Sequence, residues 1–274
     1  METALYRSPA LRRIEAAHCH EPLMARAGAA AAEWAETLAA ERERPVLILV
    51  GPGNNGGDAL VAARWLRQDF FEVCVVFQAD PEKLPADAAN AYREFVADGG
   101  TTHRTIPEHT PWSLIIDGLF GIGLTRAPSG IYADWIEAAN RMAKRDRCPV
   151  LALDCPSGLN ADSGQQLQPC ILASHTITFV AAKPGLFTAD GPDCCGQIRV
   201  ARLELEPERE IHPDGVIVSR ASFAECLRPR ALNSHKGSFG SAGIVGGAPS
   251  MTGAAILAGR AALNQCSRYN RINS

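Results

Sequence analysis

Short apolar runs alternate with segments of helical composition along residues 1–206 of the chain. Residues 45–50 are too short an apolar run for a helix and end at a Gly-Pro pair, which predicts a buried strand. Strand character recurs at residues 71–77, 114–116 and 150–153, and helical composition at residues 59–68, 87–97 and 131–145. Strands that alternate with crossover helices predict a Rossmann-like three-layer α/β/α fold with a mostly parallel central sheet.

Both ends of this alternating region differ from its middle. Residues 11–43 are rich in alanine and predict N-terminal helices that break near Pro22 and Gly28. Residues 176–180 and 197–203 predict two strands joined by a loop rather than a helix, so we expect an antiparallel or mixed sheet edge. Ser129 is expected to cap the helix that begins at residue 131.

The composition changes after about Glu206. Residues 207–232 begin with proline and charge and predict a linker, and residues 233–274 are expected to form a separate remnant. Within the remnant, residues 242–245 predict a strand, followed by a glycine turn and one helix, a unit that cannot bury both of its faces alone. Residues 266–274 lack apolar periodicity and are expected to be disordered or foreign sequence.

Charge and cysteine content narrow the possible partners. The formal net charge is -3 and there is no long Lys/Arg run, so we expect neither nucleic acid nor a membrane surface as a partner. No stretch reaches the roughly 20 apolar residues of a membrane span, and the charged start lacks a signal-peptide core, which predicts a cytoplasmic protein. The nine cysteines lack a Cys-x-x-Cys pair, so neither a zinc site nor a disulfide framework is predicted.

The first candidate site is the glycine-rich segment 50–58, placed between a predicted strand and helix as a phosphate or dinucleotide loop would be. Gly51, Gly53 and Gly56 have the G-x-G-x-x-G spacing, so an ordinary Rossmann dehydrogenase has to be considered. Asp58 is predicted at the start of the helix, where its carboxylate would compete with a diphosphate for the exposed N–H groups. We therefore favour a loop that holds hydroxyls or a ring, with a simple turn capped by Asp58 as the alternative.

Two other predicted strands also end in an acidic residue. Asp117 precedes a glycine-rich loop that ends near Arg126, where N–H groups and the cation could hold a phosphate, unless this is a plain connecting loop. Asp154 precedes a turn that contains Ser157, which lacks the G-x-S-x-G elbow of a hydrolase nucleophile. Because ligands of open α/β sheets bind at the carboxyl ends of the strands, we expect the three loops to meet in one pocket.

Three motifs in these loops are Gly-Asn-Asn-Gly-Gly-Asp at 53–58, Asp-Gly-Leu-Phe-Gly-x-Gly-Leu at 117–124 and Asp-x-Pro-Ser-Gly-Leu at 154–159. Together they resemble the YjeF N-terminal family of NAD(P)HX epimerases. The resemblance extends from Leu23 near the start to Lys183-Pro-Gly185 near the end, about the first 205 residues. It implies an isomerase that interconverts the R and S epimers of NADHX or NADPHX, the forms of NADH and NADPH hydrated at C6 of the nicotinamide ring. No redox change is implied, and the preference between the two substrates stays open.

The resemblance also implies roles for individual residues. Asp154 is the hypothesised acid/base for the proton transfers that inversion at C6 requires. Potassium would be bound by Asn55, Asp117 and Ser157, whose oxygen atoms suit a hard cation. Lys183 would either approach the substrate phosphates or cap a strand. Substrate contacts are implied for Asn54, Asn55, Gly56, Gly57, Asp58, Gly121, Ile122, Gly123, Leu124, Thr125, Arg126, Ala127 and Asp154.

The C-terminal remnant carries a second resemblance. Residues 234–240 and 245–254 resemble the opening of an ADP-dependent NAD(P)HX dehydratase domain, whose later glycine-aspartate motif is not in this chain. We therefore expect an incomplete ADP/ATP site and no dehydratase activity, as after a truncation or frameshift near Asn264. A homodimer or higher homo-oligomer is expected, and a non-catalytic nucleotide-binding or scaffold module is the alternative function.

Overall fold

The computed structural model describes residues 3–39, 41–225, 232–233, 243–247 and 252–268. The chain divides into two compact units, Met1–Ser219 and Arg220–Ser274. This division falls inside the predicted linker 207–232, whose first part is folded within the first unit. None of the helices in the described part of the chain is long and apolar enough to cross a bilayer.

Seven strands of the first unit form the central sheet in the order β4-β3-β2-β5-β6-β7-β8. All six neighbouring pairs are parallel. The strands are β2 (Val46–Val50), β3 (Val73–Phe77), β4 (Thr102–His103), β5 (Leu114–Gly118), β6 (Val150–Leu153), β7 (His175–Phe179) and β8 (Gln197–Ala201), while β1 (Thr3–Leu5) and β9 (Gly215–Ile217) pair separately as antiparallel strands.

Helices cover both faces of this sheet. The strand β2 alternates its side chains between two apolar clusters: Ile48 packs with residues of four helices on one face, and Leu49 packs with residues of a fifth helix on the other. The four helices are α1 (Ser8–Ala17), α2 (Leu23–Leu38), α3 (Asn54–Gln68) and α4 (Ala86–Ala97), and the fifth is α5 (Ile131–Asp146). The predicted three-layer α/β/α fold is therefore confirmed, and β2 is buried along its whole length as its apolar run predicted.

The expected antiparallel or mixed edge at β7 and β8 is wrong. His175 pairs with Gln197 in parallel register, and the pairing continues to the end of both strands. A parallel return needs a crossover connection of about a dozen residues or more. Residues 180–196 provide it with a 3₁₀ turn at Pro184–Leu186 and the short helix α6 (Gly191–Cys195), which were too short to recognise in the sequence.

The expected helix break at Gly28 is also wrong, because α2 runs through this residue without interruption. A Cβ atom at Gly28 would lie 2.4 Å from Cβ of Val61 in α3. The glycine therefore lets two helices approach closely, instead of ending one of them. The break near Pro22 is confirmed, since α1 ends at Ala17 and α2 begins at Leu23.

Two predicted helix starts differ in the structure. The helix α3 begins at Asn54 with Gly53 at its N-cap, so most of the predicted glycine loop forms the first turns of the helix and Asp58 is not a cap. The helix α5 begins after Gly130, whose φ of 59° is the left-handed conformation that glycine adopts freely, and Ser129 does not cap it.

In the second unit, a helix α8 (Gly253–Arg268) confirms the one predicted there, together with a 3₁₀ turn at Arg220–Phe223. The strand expected over 242–245 is wrong for its described residues, because 243–247 form no regular structure and Val245 is fully exposed without a paired strand in the described part. Residues 266–268 are helical, contrary to the expected disorder. Residues 234–240, the first part of the dehydratase-like motif, and 269–274 lie outside the described residues. In the first unit, a short helix, α7 (Pro207–Glu210), precedes β9.

Candidate active site

A cavity of about 1090 Å³ is lined by the segments that follow strands β2, β5 and β6. Asn54 and Asn55 begin the helix after β2, residues 121–126 form the loop after β5, and Asp154 directly follows β6. The three sequence motifs thus meet at the carboxyl edge of the sheet, because parallel neighbouring strands all end on the same side.

Most of the residues implied as substrate contacts line this cavity. Gly56, Gly57 and Ala127 do not. Because α3 already begins at Asn54, its helical rotation turns Gly56 toward the carbonyl oxygen of Gly51 and Gly57 toward Met24. The predicted contacts that line the cavity are Asn54, Asn55, Asp58, Gly121, Ile122, Gly123, Leu124, Thr125, Arg126 and Asp154.

The Asp154 carboxylate is held in place from three directions. Its Oδ2 accepts a hydrogen bond from the Ile122 N–H at 3.2 Å, and its Oδ1 faces the Phe179 N–H at 3.4 Å and also accepts one from the Lys183 ammonium. The backbone of Asp154 is left-handed, with φ of 64°, a conformation that aspartate tolerates better than most residues. A buried carboxylate with fixed orientation is thus presented at the wall of the cavity.

Lys183 is buried behind Asp154 and is not part of the cavity lining. Its Nζ donates to Oγ1 of Thr178 at 2.7 Å, to the carbonyl oxygen of Phe179 at 2.9 Å and to the carboxylate of Asp154. These three acceptors use all three N–H donors of the ammonium group. Of the two alternatives left open by the sequence, contact with the phosphates is excluded, because this lysine has no donor left for them. It caps the end of β7 at Phe179 and also holds Asp154.

The side chains of Asp117 and Ser157 lie beneath the loop that follows β5. The fully buried Asp117 accepts hydrogen bonds from Ser157 Oγ at 2.6 Å, from Ser157 N–H at 2.8 Å and from Leu119 N–H at 3.2 Å. Burial raises the pKa of Asp117 to about 6, although these hydrogen bonds oppose the shift. Ser157 Oγ also accepts a hydrogen bond from the Phe120 N–H at 2.9 Å, so this pair fixes the start of the loop.

Asn55 is buried, and neither Oδ1 nor Nδ2 of its amide has a hydrogen-bond partner among the described residues. An unsatisfied buried amide costs about 1–3 kcal/mol, so it indicates a missing partner. The Asn55 side chain lies close to the loop of Gly121, where an added Cβ would be 3.6 Å from Cβ of Asn55. The orphaned amide oxygen, the buried carboxylate and the hydroxyl of the predicted potassium set are all oxygen donors suited to a hard cation.

Sequence reasoning missed the contribution of α1. Arg12 and Glu15 of this helix also line the cavity, although residues 11–43 predicted only N-terminal helices. Desolvation inside the cavity, followed by the charge of Asp154, raises the pKa of Glu15. Burial, together with the carboxylates of Asp154 and Glu15, raises the pKa of Asp58 well above its ordinary value. The cavity therefore contains three mutually repelling carboxyl groups, of which Glu15 lies outside every motif.

The cysteines that the structure describes form no metal centre. The cysteines that the structure describes are all free thiols. Over the same part of the chain, no group of three or more His, Cys, Asp and Glu side chains is arranged to hold a metal ion. Cys194 and Cys195 are instead buried in a small apolar cluster with Cys155 and Cys170.

Fold and site together define a Rossmann-like α/β protein with a nucleotide-sized cavity at the carboxyl edge of its parallel sheet. The sequence model of a family described as "YjeF-related protein N-terminus" matches residues 20–185. The chain belongs to this family.

Several known proteins are similar to the chain. The NAD(P)H-hydrate epimerase of Bordetella bronchiseptica is 44% identical over 191 residues, which cover 68% of this chain and 80% of that protein. The bifunctional NAD(P)H-hydrate repair enzyme Nnr of Escherichia coli is 37% identical over 249 residues, which cover 88% of this chain but only 46% of that protein. The predicted loss of dehydratase activity stays a prediction.

The solved structure of yeast ynu0 resembles the chain with a TM-score of 0.57 and 19% identity, over 72% of this chain and 86% of the yeast chain. At this low identity the likeness supports the fold alone.

Proposed function

We propose that this chain is an NAD(P)H-hydrate epimerase, an isomerase that interconverts the R and S epimers of NADHX and NADPHX. The observation that carries the proposal is the Asp154 carboxylate, which faces the cavity and is held by Lys183 and the Ile122 N–H. Relatives named NAD(P)H-hydrate epimerase, at 44% identity, support the same activity.

Inversion at C6 of the hydrated ring requires the C6–O bond to break and re-form, or the ring to open and close. In the first route the hydroxyl takes up a proton and leaves as water, and water returns to the opposite face with loss of a proton. Asp154 in its protonated form delivers the proton to the leaving hydroxyl, and the resulting carboxylate removes a proton from the returning water, which restores the acid. Lys183 is the positioning residue that fixes this side chain. Phosphates of the substrate bind along the loop 121–126, near Arg126.

We also propose that Asn55, Asp117 and Ser157 hold one potassium ion beneath this loop. The unpartnered amide of Asn55 and the buried carboxylate of Asp117 support the assignment. A bound potassium ion would supply positive charge that compensates the Asp117 carboxylate. Asp117 and Ser157 already hold the beginning of the loop through the N–H groups of Leu119 and Phe120. The expected homo-oligomer remains a prediction that light scattering of the purified chain would test.

A coupled assay tests the proposed activity. The R epimer of NADPHX is mixed with this protein and a separate dehydratase that accepts only the S epimer, and the recovery of NADPH is followed. We expect complete recovery, much faster than spontaneous epimerisation allows, and a large loss of rate with Asp154→Asn. Recovery at the spontaneous rate with the unaltered protein would reject the enzyme in favour of a non-catalytic nucleotide-binding module.

A further inference from the structure

Charge is distributed unevenly over the cavity wall. Its lining includes several carboxylates, among them Glu15, Asp58 and Asp154, but only two cationic side chains among the described residues, Arg12 and Arg126. Neither arginine forms an ion pair or a hydrogen bond with any residue in the described part of the chain. An anionic ligand would therefore find its two available charged partners at these arginines and would be repelled elsewhere.

Arg12 reaches the glycine-rich loop from a different part of the fold. It lies on α1, which is anchored to the core by Leu11 and Ile14. Its Nη2 is 3.6 Å from the position that a Cβ of Gly123 would occupy, so the guanidinium lies against the backbone of this loop. The N–H of Gly123 makes no hydrogen bond with a described residue and is free to bind a ligand.

We propose that Arg12 is a phosphate-binding residue that determines the affinity for the substrate, acting beside Arg126 and the N–H groups of the loop. This inference rests on the proposed epimerase function. A guanidinium that lies beside a free backbone N–H group offers several donors to one phosphoryl group, the arrangement that favours arginine over lysine. The carboxylates near Asp154 repel the same group, which orients the dinucleotide with its nicotinamide ring toward Asp154.

Arg12 lies outside residues 20–185, the region that matches the family. Its contribution therefore does not follow from the family motifs. It depends on how α1 packs in this chain.

Two phosphoryl groups share the chemistry that Arg12 would recognise: the diphosphate, which both substrates carry, and the 2′-phosphate, which only NADPHX carries.

Steady-state kinetics with both substrates test the inference. For Arg12→Gln we expect KM to rise roughly 10-fold or more, the loss expected for one charged hydrogen bond, with kcat changed little. An equal rise for NADHX and NADPHX identifies the diphosphate, and a rise for NADPHX alone identifies the 2′-phosphate. Arg12→Lys should recover part of the affinity. The matched control is Arg13→Gln, because Arg13 is the exposed neighbour on the same helix and does not line the cavity.

A binding measurement separates failure of the inference from failure of the proposed function. The dissociation constants of NAD⁺ and NADP⁺ are measured by calorimetry for the unaltered protein, Arg12→Gln and Arg13→Gln. Weaker binding of either nucleotide to Arg12→Gln alone supports the phosphate role, even if no variant has epimerase activity. Equal affinity of all three proteins, or no binding to any of them, would overturn it.

Discussion

Lys183 and Asp154 form a buried ion pair in which the carboxylate faces the cavity and the ammonium does not. The lysine side chain is 1% exposed and the aspartate side chain 12%. Burying either charge alone would cost a large desolvation free energy, so each charge depends on the other to compensate it. A role in positioning the carboxylate explains why a lysine lies in an otherwise closed part of the core.

Removing one member of this pair should destabilise the protein more than removing both. We expect Lys183→Met or Asp154→Asn to lower the free energy of unfolding by roughly 3–5 kcal/mol, because each leaves a buried polar group without its charged partner. The double variant should recover much of this loss. Urea denaturation of the three variants measures the effect, and a double variant as unstable as the worse single one would contradict it.

Epimerase activity should not follow stability in this series. The double variant lacks the carboxylate that contacts the substrate, so its kcat should stay low after its fold has recovered. Lys183→Met keeps the carboxylate but loses its fixed orientation, and we expect an intermediate kcat with an altered pH profile. Full activity in the double variant would exclude Asp154 as the acid/base.

Asp58 should destabilise the protein at neutral pH. Its pKa in the folded state is raised, first by burial and then by the charges of Asp154 and Glu15. Below the ordinary aspartate pKa of about 4, the carboxyl is protonated in both the folded and the unfolded chain, so its ionisation does not change the free energy of unfolding. Above it, the unfolded chain loses the proton while the folded protein keeps it, so stability falls as pH rises toward the folded pKa.

Asp58→Asn should therefore raise Tm by a few degrees at pH 7, with the gain disappearing near pH 4. The same change should weaken substrate binding, since Asp58 lines the cavity. Thermal denaturation of both proteins across this range gives the test. A gain that grows toward acid pH would show that the shift has the opposite sign.

The parts of the fold predicted from the sequence are those in which local pattern and burial agree. The strand β2 is apolar along its length because both faces are covered, and its burial makes the run visible in the sequence. Asp117 and Asp154 were found because each ends such a strand. The start of α3 was missed because Gly56 and Gly57 are poor helix formers, and tertiary packing overrides that local preference.

The missing parts of the site depend on contacts between distant segments. Nothing near Arg12 in the sequence shows that α1 lies against Gly123, and nothing near Lys183 shows that its acceptor is Asp154. The apolar pattern of a helix such as α1 shows which side chains pack in the core. It does not show which part of the fold the polar side chains contact. The pairing direction of β8 was missed for a different reason. Its crossover consists of helical turns too short to give a periodic signal in the sequence.

Gly121 should be required for the geometry of the carboxylate rather than for folding. A Cβ at this position would lie 2.8 Å from Oδ2 of Asp154, closer than such contacts occur. Gly121→Ala should therefore displace the carboxylate and lower kcat by roughly 10-fold or more, the scale on which small misplacements act. Gly215→Ala is the control, because a Cβ there meets nothing within 4 Å. Unchanged kcat in Gly121→Ala would show that the carboxylate moves aside without consequence.

Potassium should stabilise the protein more than sodium does at equal ionic strength. The buried amide of Asn55 has no partner among the described residues, and an ion beneath the loop would provide one. We expect KCl to raise Tm above its value in NaCl, and Asn55→Ala to lose this difference. In potassium-free buffer, Asn55→Ala should be at least as stable as the unaltered protein, because the substitution removes an unsatisfied polar group.

Asn54→Ala, at the exposed neighbouring position, is the matched control and should keep the response to potassium. Equal Tm values of the unaltered protein in the two salts would argue against a potassium site at Asn55, Asp117 and Ser157.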